Sequence, residues 1–176
     1  MQTIAQVYGI TRTSPAFRAA LFDAAARHGW NVDAIAAVIS RESSFEANAH
    51  NPAPGQTASG LLQWIDSTAR AVFGIGAADI RALSAEDQVP LVEKWFVSQL
   101  GDGAHRPVDY YLVGWGARPG LPDDHELARE GSKIYELNSA LDFDSDGVIR
   151  VVDLRRLVER TLGAAGGARI DASPLC

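Results

Sequence analysis

The chain has 176 residues, 47% of them apolar and 22% charged, which is enough for one domain with a packed core. A formal net charge of −6 argues against nucleic acid as a partner. No apolar run approaches the roughly 18 residues of a membrane-spanning helix, so no membrane insertion is expected.

The N-terminal residues, Met1 to Val7, lack a basic stretch followed by an apolar core, so no secretory signal is expected. The only cysteine, Cys176, excludes an internal disulfide and leaves packing or a metal ion to stabilise the fold. Signals for helices dominate and alternating strand patterns are scarce, which predicts a mainly α fold. Ser14-Pro15 reads as a cap followed by proline in the first turn of a helix that runs to His28 and stops at Gly29. Phe17, Leu21 and Phe22 supply its apolar face. Asn31 caps a second helix that reaches Glu42. Residues 48–57 are rich in turn formers and predict an exposed loop. Asp66 caps a short helix ending near Gly74. Ser84 with Asp87 opens a further helix through Val89, Val92, Phe96 and Leu100, which Pro90 should kink or delay. Residues 110–115 predict a short helix, residues 123–138 a longer one with acids in its first turn, and residues 151–162 a last one. The Gly/Ala-rich remainder, 163–176, is expected to be a mobile tail, which leaves 14–162 as the domain.

One residue breaks its pattern. Ile35, Val38 and Ile39 form the apolar stripe of the second helix, and Glu42 occupies the next position of that stripe. Low-dielectric surroundings disfavour an ionised carboxylate, so a core-facing glutamate keeps its proton at higher pH. A protonated acid near neutral pH is what a glycosidase requires at a leaving oxygen. The competing reading is a helix-end glutamate that pairs with Arg41 or Arg70.

Glu42-Ser43-Ser44-Phe45, the turn-rich loop, and Ser59-Gly60-Leu61-Leu62-Gln63 resemble, in order and spacing, the lytic transglycosylases. These are lysozyme-like enzymes that cut the glycan strands of peptidoglycan. The resemblance covers about residues 17–138 and implies a lysozyme-like single domain with Glu42 as its catalytic acid/base. It also implies that Ser43 supports substrate near the acid and that Ser59 and Gln63 bind sugar. A late tyrosine should touch the glutamate; Tyr111 matches best and Tyr110 stays open, because Gly114 stands where phage-type relatives often carry histidine. Trp64 and Trp115 are either sugar-stacking or plain core residues. One acid suffices if the muramoyl 6-hydroxyl is the nucleophile; hydrolysis by two carboxylates would need Glu46 or Asp66 as the second.

A second motif spans 142–153. Asp142, Asp144 and Asp146 stand at positions one, three and five of an EF-hand loop, Gly147 at six, Val148 at seven with its backbone carbonyl as ligand, the apolar Ile149 at eight, and Asp153 at twelve, where dockerin-type loops use aspartate. A C-terminal helix-loop-helix element holding one structural Ca2+ is therefore expected; the competing reading is an acidic surface turn. The four histidines, 28, 50, 105 and 125, have no metal-ligand spacing. The function implied is cleavage of the β-1,4 bond between N-acetylmuramic acid and N-acetylglucosamine by a monomer. It would act on the bacterial wall as a phage or virion-borne lysin, or after export by a dedicated machine. The alternatives are a hydrolytic muramidase or chitinase on the same fold, and a non-catalytic calcium-dependent binding module.

Overall fold

The computed structural model of the chain describes residues 2–52, 55 and 57–173. Cys176 and part of the 48–57 loop lie outside the described residues.

Helix α1, Pro15–His28, begins where the Ser14 hydroxyl accepts the Phe17 N–H at 2.9 Å. Helix α2, Val32–Ser43, begins at Asn31, whose side-chain oxygen accepts the N–H groups of Asp33 and Ala34 at 3.0 and 3.2 Å. Seven consecutive residues of α2, Ala34 through Ser40, are buried, so this helix runs through the core rather than over it. Ile35 and Ile39 are 1% and 0% exposed; truncating either to alanine would cost about 2–5 kcal/mol. Helix α3, Asp66–Phe73, and the one-turn α4, Ala77–Arg81, follow. Asp66 joins them, accepting the Ala77 N–H at 2.9 Å and the Arg70 Nε at 2.7 Å. It is the first helical residue, with Ile65 in the cap position that the sequence assigns to Asp66.

Helix α5, Ala85–Leu100, packs against α1 and runs through Pro90 as one element. Pro90 is exposed and withholds only the bond its N–H would have given to Glu86. Helix α6, Pro107–Leu112, continues into a 3-10 turn, Val113–Trp115, and packs against α2.

The helix expected over 123–138 is not there. Glu126–Arg129 is a strand, β2, which pairs antiparallel with Val148–Arg150, here β3. Only Lys133–Asn138, helix α7, is helical. The physical reason is local: Gly131 takes a left-handed conformation (φ 84°), and Ser132 starts a new helix by accepting the Tyr135 N–H at 3.2 Å. Helix α8, Val151–Gly163, packs on α2 and α6, with Val151 and Leu154 fully buried in a second, smaller apolar cluster with Val108 and Leu112.

The described residues after α8 are also not a free tail. Arg169–Asp171 is a strand, β4, paired antiparallel with Thr3–Ala5, β1, in the register Thr3 to Asp171. Ala172 is fully buried, the guanidinium of the buried Arg18 donates to the Asp171 carbonyl at 2.8 Å, and Arg169 meets Asp33 at 2.9 Å. A strand separated from its partner by most of the chain leaves no periodic signal of its own, which is why composition alone suggested a tail. Among the described residues, no helix is long and apolar enough to cross a membrane.

Candidate active site

Glu42 is the next-to-last residue of α2. The helix stops beyond it because Ser44 and Phe45 both adopt left-handed conformations, at φ 52° and 65°. The chain then loops out and returns at Ser59, which exchanges two backbone hydrogen bonds with Trp64 at 3.1 and 3.0 Å. The tight turn so closed, Gly60 to Gln63, lies beside the end of α2. Gly60 has to be glycine: its φ is 77°, and a Cβ would lie 2.7 Å from both the Gln88 side-chain oxygen and Ile80.

A cleft of about 320 Å3 opens between this turn and the helices around it. Leu62, Gln63 and Trp64 form one wall, Trp95 comes from α5, and Tyr111 and Trp115 close the α6 side. Glu42 is the only carboxylate among the described residues that line it. Its side chain is partly buried, and burial pushes its pKa up to about 7. Two weaker influences pull the other way, a hydrogen bond from Tyr111 and the positive charge of Arg41. An acid that titrates near 7 is poised both to give and to take back a proton near neutral pH.

Of the two tyrosines, Tyr111 is the one that reaches Glu42, and burial beside that carboxyl pushes its phenol well above the usual range. Tyr110 is 1% exposed, and its hydroxyl accepts the Asn31 N–H at 2.9 Å. That bond fixes the start of α2 rather than its end. Ser43 is buried and donates to the carbonyls of Ile39 and Leu61 at 3.2 and 2.9 Å, so it ties α2 to the glycine turn. Ser59 is wholly buried, with its hydroxyl on the Thr57 carbonyl at 3.3 Å. Gln63 faces the cleft with a left-handed backbone (φ 49°), and its amide nitrogen donates to the Ala49 and Gly60 carbonyls at 3.1 and 2.9 Å. Only its side-chain oxygen stays available for a ligand. Glu46 points away, paired with Arg12 at 3.0 Å, and Asp66 joins α3 to α4, so neither stands across the cleft from Glu42. The sequence reading missed Trp95, although its place one turn before Gln99 and three residues after the buried Val92 lay on the apolar stripe of α5.

Residues 20–83 match the family described as Transglycosylase SLT domain. Over this stretch the chain matches a transglycosylase domain. The match includes most of α1, all of α2, the loop, α3 and α4, and therefore Glu42, Ser43, Ser59 and Gln63. Tyr111 and the acidic loop lie outside it. No curated protein matches the chain at a significant level. The transglycosylase domain makes this protein a lysozyme-like glycosidase enzyme, with peptidoglycan as the substrate the domain implies.

Away from the cleft, Asp142, Asp144 and Asp146 bring one carboxylate oxygen each within 4.8 Å of the others. The turn between them is held by its own side chains, with Asp142 accepting the Gly147 N–H at 2.9 Å and the Tyr135 hydroxyl at 2.8 Å. Asp146 pairs with Arg150 at 2.7 Å. Asp153 stands outside this trio, capping α8 through the Arg150 N–H at 2.9 Å and meeting Arg156 at 3.3 Å. Val148 lies in β3 opposite Arg129. The element entering the loop is the short α7 and a 3-10 turn, not the long helix expected of an EF-hand.

Proposed function

We propose that this enzyme is a peptidoglycan lytic transglycosylase in which Glu42 is the sole acid and base. Protonated Glu42 gives its proton to the oxygen linking N-acetylmuramic acid C1 to N-acetylglucosamine, and the C1–O bond breaks. The muramoyl 6-hydroxyl then bonds to C1, and its proton returns to the Glu42 carboxylate. Proton and bond counts balance without water: the product carries a 1,6-anhydro ring and the enzyme is restored. Holding the internal hydroxyl beside C1 supplies a high effective molarity, so no second carboxylate is needed to activate water. The observation that carries this reading is that Glu42, shifted to about 7, is the single acid on the described cleft wall. Tyr111 steadies the carboxylate after the proton has left.

The test is digestion of purified peptidoglycan followed by mass spectrometry of the released fragments. Anhydromuramoyl ends support the reading. Reducing ends heavier by one water would make the enzyme a muramidase instead.

The 142–153 loop is read as a structural calcium site. Three converging carboxylates with the Val148 carbonyl suit a hard cation with oxygen ligands, and Asp153 would join them by leaving the Arg150 N–H and Arg156. Asp146 would exchange its pairing with Arg150 for the ion, which would pin the β2–β3 region against α8.

A further inference from the structure

We propose that Gln88 is a positioning residue for Glu42, its buried amide locking the turn that forms one wall of the cleft and shields the acid from water. The inference rests on Glu42 being the acid. Gln88 is the fourth residue of α5 and is 0% exposed. Its side-chain oxygen accepts the Leu61 N–H at 2.9 Å. Its side-chain nitrogen donates to the carbonyls of Ala47 at 2.7 Å and Ile80 at 3.1 Å, with Leu83 at 3.4 Å. Both ends of the loop that leaves and rejoins the active site, Ala47 and Leu61, thus converge on one amide.

The link to the acid is short. The Leu61 carbonyl accepts the hydroxyl of Ser43, the residue next to Glu42, at 2.9 Å. Gly60 packs so closely on the Gln88 oxygen that even a methyl group would not fit. Leu62, Gln63 and Trp64 follow at once and face the cleft, so slack at Leu61 is passed directly to the cleft wall beside Glu42. Only an amide supplies donors and an acceptor together here. An apolar side chain would strand the Leu61 N–H and the facing carbonyls without partners, and a carboxylate would place negative charge against those carbonyls.

The experiment compares Gln88→Met, Gln88→Glu and Glu42→Gln on purified peptidoglycan. It reads kcat, KM and the pH dependence of kcat, with circular dichroism marking the pH range in which each protein is folded. For Gln88→Met, kcat should fall roughly 10- to 100-fold while KM changes far less. The basic limb of its profile should move down by about one pH unit as water reaches the acid. Arg41 and Tyr111, the other groups facing Glu42, are unchanged in these variants, so a moved limb reports the wall. Gln88→Glu, nearly isosteric when protonated, should approach wild-type kcat at pH 5 and lose it as the new carboxyl ionises. If Gln88→Met does not fold, that profile decides alone. A folded Gln88 variant with wild-type kcat and an unmoved limb overturns the proposal. An active Glu42→Gln overturns instead the assignment of the acid; an inactive one alongside wild-type Gln88 variants overturns the positioning role alone.

Discussion

Tyr111 hydrogen-bonds to Glu42 in the cleft while its neighbour Tyr110, one residue earlier on the same helix, holds the N-terminus of the helix whose far end carries that glutamate. Adjacent residues of α6 therefore grip opposite ends of α2. The Tyr111 hydrogen bond favours the ionised carboxylate. Its removal in Tyr111→Phe should raise the Glu42 pKa above its present value of about 7 and move the basic limb of the activity profile to higher pH. A limb displaced to lower pH would contradict the arrangement.

Glu42→Gln should cost roughly 10²–10⁴-fold in kcat, the usual scale of a general acid, while the variant still binds insoluble peptidoglycan. The same change should stabilise the fold. Glu42 has a raised folded pKa, so the stability tied to its proton is present below its unfolded pKa and is lost as pH rises toward 7. Melting at pH 8 should favour Glu42→Gln over wild type by on the order of 1–2 kcal/mol, with the gap closing below pH 4. Equal melting curves at pH 8 would show that the carboxyl is well solvated.

His28 sits between Asp102 at 2.6 Å and Glu93 at 2.8 Å and stacks on Trp30, joining the end of α1 to α5 and the turn beyond it. The hydrogen bond to Asp102, with a further contribution from Glu93, raises its pKa above 6.5. For a raised histidine the contribution is complete below the unfolded pKa and fades as pH climbs through the folded one. Thermal melts of His28→Gln should therefore show a larger loss at pH 6 than at pH 9. A loss independent of pH would assign the residue to packing alone.

Shortening the chain after residue 165 removes β4, Ala172 and the Asp171 carbonyl that Arg18 holds. Stability measured by urea titration should drop by about 1–3 kcal/mol, since the Arg18 guanidinium loses a partner and Ile4 loses its cover. Arg169→Ala alone, which deletes a half-exposed ion pair with Asp33, should cost less than about 1 kcal/mol.

Calcium added to metal-free protein should raise the melting temperature, and excess EGTA should reverse the rise. Asp144→Asn removes a carboxylate that forms no ion pair among the described residues and should abolish the rise while sparing the apo fold. Identical melts with calcium and with EGTA would remove the metal from this loop.

Much of the site was legible because it is written in one helix. The Asn31 cap sets the phase of α2, and counting seven residues from Ile35 delivers Glu42 to the end of its buried stripe. Features built from pairings between distant segments were not legible. Glu126–Arg129 has no strand-like alternation, and it is extended because Val148–Arg150 lies beside it. Tyr110 and Tyr111 differ by about 100° around a helix, so which of them reaches the cleft depends on how α6 docks against α2. Ser59 looked like a sugar ligand from its motif; the backbone exchange with Trp64 buries it beneath the turn it helps to close.

The antiparallel ladder between Thr3 and Asp171 fixes where anything attached to this enzyme would emerge. A polypeptide joined ahead of β1 and another joined behind β4 would leave side by side from a single corner. A few flexible residues there should suffice to tie the backbone into a ring, and fresh ends opened in a surface loop would give a permuted enzyme with the same cleft.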